Sequence, residues 1–199
     1  MDMQEVAQAL GVHCQYCHSA PRGSGQPEPK KDVALAMMAM TRDLNAKVQT
    51  ATGKPAGEAT EVRCVTCHRG VAIPQPLSAI ILRTVAEKGG AAAVEQYRDL
   101  RKQFYSRDTY DFSEEALLAT VQRVVQGRPD DAIALLRMNL EFNPQSAKTY
   151  ALIGFAYTRK VDDASAITNL QKSLELDPTN AMVRGQLEQL QEYGRRRKQ

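Results

Sequence analysis

The chain has 199 residues, enough for one sizeable domain or two small ones, and its formal net charge is only +3. So small a net charge indicates no particular binding partner and gives no reason to expect nucleic-acid binding. No apolar run is long enough for a transmembrane segment. Tryptophan is absent, whereas good helix formers such as alanine, leucine, glutamine, arginine and glutamate are abundant, so we expect an all-α protein.

A short helix is predicted over residues 3–12, because apolar residues recur there at helical spacing, namely Met3, Val6, Ala7 and Leu10. Gly11 then lets the chain turn into the first of two five-residue motifs, Cys14-Gln15-Tyr16-Cys17-His18. Residues 19–31 are rich in glycine and proline, which is typical of a loop. The first motif is therefore bounded by a helix and a loop.

A second helix is predicted to begin with Asp32 as its cap and to reach about Gln49. Its apolar stripe has helical spacing and consists of Val33, Met37, Met40, Leu44 and Val48. A stretch with two glycines and a proline ends this helix, and the second motif follows as Cys64-Val65-Thr66-Cys67-His68. Each motif thus comes after a helix that has methionine on its apolar face.

The Cys-x-x-Cys-His pattern is the attachment sequence of c-type haem. Two cysteines three apart, with histidine directly after the second, sit on about one helical turn, which presents both sulfurs to the porphyrin edge and the imidazole to the iron. All four cysteines and two of the three histidines belong to the two motifs. We therefore predict two haem c groups, bound through Cys14, Cys17, Cys64 and Cys67, with His18 and His68 as proximal iron ligands.

Three other uses of paired cysteines fit less well. Zinc-binding pairs usually lie closer together than Cys17 and Cys64, which have 46 residues between them. A thioredoxin-like redox pair needs a βαβ context, and nothing in the sequence resembles a strand. A structural disulfide does not require a histidine after each second cysteine.

The distal axial position decides what a c-type haem does, since an open position allows ligand or peroxide chemistry and a filled one leaves electron transfer. Helical spacing favours Met3 for the first haem. It leaves Met37 or Met40 for the second, because Met38 points about 100° away from the stripe. His13 lies too close to its own motif to reach the far side of that haem, and it stays a minor alternative as ligand to another haem.

An internal repeat follows in the second half of the chain. Leu136, Leu140, Glu141 and Pro144 recur 34 residues later as Leu170, Leu174, Glu175 and Pro178. Thirty-four residues is the period of the tetratricopeptide repeat. The predicted organisation is a dihaem cytochrome c domain at 1–76, connecting helices at 77–112 broken by Gly89-Gly90, and a repeat domain at 113–199 with repeats at about 113–144 and 145–178 and a closing helix at 179–192.

Two local patterns match a known family. Met3 lies eleven residues before Cys14, with Leu10-Gly11-Val12 between them. Met37 is followed by Arg42 and Asn45 and then by the Cys-x-x-Cys-His-Arg-Gly sequence that ends at Gly70. In these features the segment 3–76 resembles the cytochrome subunit of photosynthetic reaction centres and its smaller bacterial relatives. The resemblance implies that helices supply methionine as the distal ligand, and it favours Met37 over Met40.

These features predict an electron carrier rather than an enzyme, with a repeat domain for assembly or for docking redox protein partners. Two repeats are fewer than usually make a stable array, so we expect self-association, which could build an extracellular conductive filament. The alternatives are a periplasmic dihaem peroxidase-like enzyme, a soluble shuttle that docks a membrane redox partner, and a scaffold with structural haem. The chain starts without the features of a signal peptide, and haem is attached outside the cytoplasmic membrane, so we expect a mature periplasmic or extracellular bacterial protein.

Overall fold

The computed structural model describes residues 2–21 and 23–196. Over those residues the chain forms nine α-helices, one short 3-10 turn and no strand, which confirms the predicted all-α fold. The outermost residues of the predicted domains, 1 and 197–199, lie outside the described ranges. Within the described part, no helix has both the length and the apolar character needed to cross a lipid bilayer.

The chain divides into two compact units. The amino-terminal unit comprises residues 1–75 together with 107–109, and the carboxy-terminal unit comprises residues 76–106 and 110–199. No sequence pattern indicates that residues 107–109 belong to the first unit.

The amino-terminal unit contains three helices, α1 (Met3–Leu10), α2 (Pro29–Thr52) and α3 (Cys64–His68). Asp2 caps α1, because its carboxylate accepts a hydrogen bond from the backbone N–H of Gln4. Gly11 ends α1 at φ 65°, in the left-handed region where a side chain is disfavoured. The chain can therefore turn sharply into the first motif.

Helix α2 is longer than the sequence predicts at both ends. It begins at Pro29, three residues before the expected cap Asp32, because the fixed φ of proline suits the first turn of a helix and its missing N–H is not needed there. It continues past Gln49 to Thr52 and ends at Gly53. The loop between the first motif and α2 is correspondingly shorter.

The amino-terminal unit buries few apolar side chains. Among its described residues, the buried hydrophobic ones are Val6, Ala9 and Met38. Its exposed large apolar side chains are Met3, Val33, Leu35, Met37, Met40, Leu44, Val65 and Ile73. A unit of this size with so small a core needs another source of stability, which a bound apolar cofactor can supply.

The carboxy-terminal unit contains α4 (Leu77–Phe104), α5 (Glu114–Val124), α6 (Pro129–Phe142), α7 (Ala147–Arg159), α8 (Asp163–Leu176) and α9 (Ala181–Arg196). Helix α4 is kinked at Gly89, where φ is 83°, at the break that the glycine pair predicts. Gly90 N–H donates a hydrogen bond of 2.7 Å to the Asp131 carboxylate. A Cβ on Gly90 would lie 2.6 Å from Asp131 Cα, so the close approach of α4 and α6 depends on this glycine.

Equivalent positions of the 34-residue pattern are buried alike. Ala132 and Ala166 are fully buried, and so are Leu136 and Leu170. The first residue of each pair lies on α6 and the second on α8. Helix α7 packs so tightly on α8 that a Cβ on Gly154 would lie 2.6 Å from Leu170. This arrangement is compatible with two tetratricopeptide repeats, an assignment that stays a prediction.

Candidate haem sites

The first motif lines an apolar cleft formed with α1 and α2. Residues Cys14–Tyr16 make a 3-10 turn, rather than the helical turn that the spacing predicts. Cys14, Cys17 and His18 line the cleft, and its apolar lining consists of Met3, Val6, Ala7, Leu10, Val12, Ala34, Leu35 and Met38. The empty space of the cleft amounts to about 580 Å³ when the open solvent at its mouth is included.

Met38 is a cleft residue that sequence reasoning missed. It is only 8% exposed, whereas Met3, which lines the same cleft, is 54% exposed. A signal for it was present, since Lys31, Ala34 and Met38 lie on one face of α2 at helical spacing. The first cleft therefore contains two thioether side chains, one from α1 and one from α2. His13, the minor alternative, is exposed and also lines this cleft.

A second apolar face of α2 is not covered by the described part of the protein. Met37 and Met40 are 44% and 46% exposed and lie outside the lining of the first cleft. Val33 and Leu44, from the same predicted stripe, are exposed as well. At 100° per residue, the centre of this stripe lies about 140° around the helix from the residues that line the cleft. Helix α2 is thus apolar on two faces, of which the first cleft uses one.

The second motif forms α3 and is tied to α2 by a side-chain amide. Asn45 of α2 accepts a hydrogen bond from Val62 N–H (2.7 Å) and donates one to Val62 O (2.9 Å). This pairing fixes the backbone two residues before Cys64. Asn45 follows Met37 by about two helical turns, so the second motif is held along the helix that carries the exposed methionines.

The two motif histidines have different partners on their Nδ1 side. His68 Nδ1 lies 3.0 Å from the backbone oxygen of Val71, so an Nδ1–H donates there and Nε2 is left for a metal. His18 Nδ1 lies 3.8 Å from Glu28 Oε2. The Lys31 ammonium, 3.2 Å from the same oxygen, lowers the pKa of the Glu28 carboxyl through its hydrogen bond. The first motif histidine thus lies beside a charged group, at a distance too long for a hydrogen bond.

The two motifs are joined through the end of α1. Gly70 N–H donates a hydrogen bond of 2.8 Å to Ala9 O. A Cβ on Gly11 would lie 2.2 Å from Gly70 O, so the backbones at the two glycines approach too closely for a side chain. Glu5 of α1 also forms an ion pair with Arg63, the residue before Cys64. The segment that leads into the first motif therefore supports the second.

Residues 107–109 support the second motif as well. Thr109 Oγ1 donates a hydrogen bond of 2.6 Å to Arg69 O, and the Arg69 guanidinium donates one of 3.2 Å to Asp108 O. Arg69 has φ 49°, a left-handed conformation that is unusual for a residue with a side chain. These hydrogen bonds help to hold that conformation directly after His68.

The residues present fit covalent haem better than zinc. The four cysteines lie in two pairs, and the first pair shares a mostly apolar cleft with an imidazole. A structural zinc ion takes four Cys or His ligands. Across residues 2–21 and 23–196, no three His, Cys, Asp or Glu side chains converge to hold a metal ion.

A cysteine pair followed by a histidine beside an apolar cleft, on an all-α scaffold, is typical of c-type cytochromes. The family model for the photosynthetic reaction centre cytochrome C subunit matches residues 3–155. That match covers more than half of the chain, so the protein belongs to this family. This is a family of c-type cytochromes, which implies covalently bound haem c. The match also extends into α7, well beyond the segment 3–76 on which the sequence resemblance rests.

Two curated cytochromes resemble parts of the chain. Cytochrome c-554 of Chloroflexus aurantiacus is 38% identical over 65 residues, which are 33% of this chain and 15% of that protein. The photosynthetic reaction center cytochrome c subunit of Rubrivivax gelatinosus is 32% identical over an 83-residue alignment that covers 36% of this chain and 22% of that protein. The matched part of the chain therefore spans less than a quarter of either relative.

Proposed function

We propose that the protein is an electron carrier with two haem c groups, one at each motif. This proposal rests on two complete attachment motifs, which lie in one small unit that buries little apolar surface. Haem supplies a one-electron iron couple when it is bound. The residues assigned to it are Cys14, Cys17, Cys64 and Cys67 as thioether partners, His18 and His68 as proximal ligands, and Met3 and Met37 as distal ligands.

The first cleft supports this assignment from two helices. Met3 and Met38 both line the cleft that contains His18. We assign Met3 as the ligand, because α1 leads directly into the motif and its distance from Cys14 matches the family pattern. Met38 then serves as a buried apolar wall of the same site.

The uncovered face of α2 supports a second haem. Val33, Met37 and Met40 are large apolar side chains at the surface of one helix, which a soluble unit rarely leaves exposed without a partner. A haem attached through Cys64 and Cys67 would cover them. Met37 and Met40 are exposed to nearly the same extent, so the family spacing alone favours Met37, and Met40 stays the alternative.

Histidine on one side and methionine on the other suit electron transfer. If these residues hold each iron as assigned, neither iron would have a position free for substrate or water, and little would rearrange when the charge changes. A thioether ligand also favours a higher reduction potential than a second histidine does. In this proposal the apolar lining of the first cleft keeps water away, and no residue has a catalytic role.

The number of haems tests the proposal. Protein matured in a host that attaches haem is expected to have an intact mass of the chain plus two haems. After proteolysis, one haem should remain on the peptide with Cys14 and Cys17 and the other on the peptide with Cys64 and Cys67. Replacing Cys64 and Cys67 by alanine should reduce the count to one, and any count other than two in the unmodified protein would contradict the proposal.

We also propose that the carboxy-terminal unit mediates self-association, as repeat arrays with uncovered ends tend to do. Large apolar side chains are exposed there, with Val161 75% and Met182 76% exposed. A head-to-tail contact that does not close into a ring would build a filament of cytochromes in the periplasm or outside the cell. Sedimentation of the holoprotein should show oligomers that grow with concentration and that Met182→Gln reduces. A monomer at every concentration would instead favour a soluble shuttle that docks a membrane redox partner.

A further inference from the structure

The first motif has a carboxylate at its proximal histidine, whereas the second has a backbone carbonyl. Glu28 Oε2 lies 3.8 Å from His18 Nδ1, and the neutral backbone oxygen of Val71 lies 3.0 Å from His68 Nδ1. The two sites therefore share the type of proximal ligand but differ in the charge behind it.

Glu28 is held in place, unlike a typical mobile surface acid. Its side chain is only 15% exposed. Its Oε1 accepts a hydrogen bond from Ala20 N–H (3.4 Å), and its Oε2 accepts one from Lys31 (3.2 Å). The Lys30 ammonium lies 3.9 Å from the ring centre of Tyr16, which ties the start of α2 back onto the first motif. The carboxylate position is thus set by Ala20, just after the first motif, and by Lys31 of α2.

A carboxylate at this position changes how its histidine binds iron. The Glu28 carboxylate lies 3.8 Å from His18 Nδ1, too far for a hydrogen bond, so it acts on the imidazole through its negative charge. Charged groups beside a ligating histidine tune metal sites. A nearby negative charge favours the oxidised iron, which carries one more positive charge. The backbone oxygen of Val71 is hydrogen-bonded to His68 but brings no negative charge to the second site. Lys31 offsets part of the Glu28 charge and so moderates the effect.

We propose that Glu28 is a positioning residue that lowers the reduction potential of the haem at His18 below that of the haem at His68. Electron transfer between the two haems is then favoured in one direction. One electron would then pass from the iron that His18 would hold, oxidising it, to the iron that His68 would hold, reducing it, and no proton would be transferred. This inference rests on the proposed function, since it requires haem at both motifs.

Spectroelectrochemical titration of the holoprotein tests this inference, with Glu28→Gln as the variant. The amide keeps the size of the side chain and an acceptor for Ala20, but removes the charge. The lower of two midpoint potentials should rise and the upper one should stay. We expect the equilibrium constant for transfer between the haems to fall roughly tenfold, which corresponds to about 59 mV for one electron. Glu58→Gln, which removes an exposed charge from the same unit, should move neither potential.

Histidine-selective NMR assigns the change to its site. The chain has three histidines, and Glu28→Gln should shift the ring resonances of His18 and leave those of His68 in place. Lys31→Gln removes the opposing cation, so it should lower the same midpoint potential, and it serves as the test if Glu28→Gln does not incorporate haem. If two haems are bound but neither variant moves the lower potential, the inference is overturned and the proposed function stands. A holoprotein without two haems would contradict the proposed function itself.

Discussion

Gly11→Ala is expected to destabilise the amino-terminal unit severely and to reduce haem incorporation at both motifs. Gly11 has φ 65°, a conformation that costs a residue with a side chain about 1–2 kcal/mol. The new Cβ would also lie 2.2 Å from Gly70 O. Because Gly70 N–H is hydrogen-bonded to Ala9 O, the clash can be relieved only by moving α1 away from the second motif. We expect a total loss of about 3–4 kcal/mol in unfolding free energy, measured by denaturant unfolding together with haem content per chain.

Gly53→Ala is the matched control for this substitution. Gly53 also has φ 65° and ends a helix, α2. No described atom lies within 4 Å of the position that its Cβ would take, so only the conformational cost applies. The control should lose about 1–2 kcal/mol and keep both haems. Equal losses in the two variants would show that the contact between Gly11 and Gly70 does not couple the motifs.

Met37→Leu is expected to open the iron at the second motif. Leucine keeps the apolar volume of the side chain but has no sulfur to donate, so the axial position loses its ligand. One of the two irons should then bind carbon monoxide in the reduced protein. The weak long-wavelength absorbance of methionine-ligated ferric haem should fall accordingly. Met3→Leu should have the same effect at the first motif.

The neighbouring methionines on α2 provide the controls for these variants. Met40→Leu and Met38→Leu conserve the apolar volume and should leave both irons closed. If Met40→Leu opens the second iron and Met37→Leu does not, Met40 is the ligand. If Met38→Leu opens the first iron, the buried methionine of the cleft replaces Met3 in the assignment.

The local part of each site could be predicted from the sequence. Cysteine spacing and the adjacent histidine predict attachment chemistry within five residues, so the haem sites proposed at Cys14 to His18 and Cys64 to His68 need no tertiary information. Helix α1 and its glycine end follow from apolar spacing and backbone preference, which are equally local. The all-α fold was predictable for the same reason.

The contacts between segments could not be predicted in this way. Met38 is buried because α1 and the first motif pack on one face of α2, whereas the more regular stripe with Met37 and Met40 is exposed. An apolar stripe indicates that something covers a helix face, but it does not distinguish protein from cofactor. The sequence also gives no indication that Gly11 contacts Gly70 or that Glu28 lies near His18. Both contacts depend on how distant segments pack together.

Carbon monoxide binding to the reduced, unmodified protein tests the central claim most directly. It shows whether a protein side chain occupies the distal position of each iron. An electron carrier with Met3 and Met37 as distal ligands should show no change in its absorbance spectrum at neutral pH when carbon monoxide is added. Rapid binding at one of two haems would contradict this account. It would indicate an open iron and support the dihaem peroxidase-like alternative.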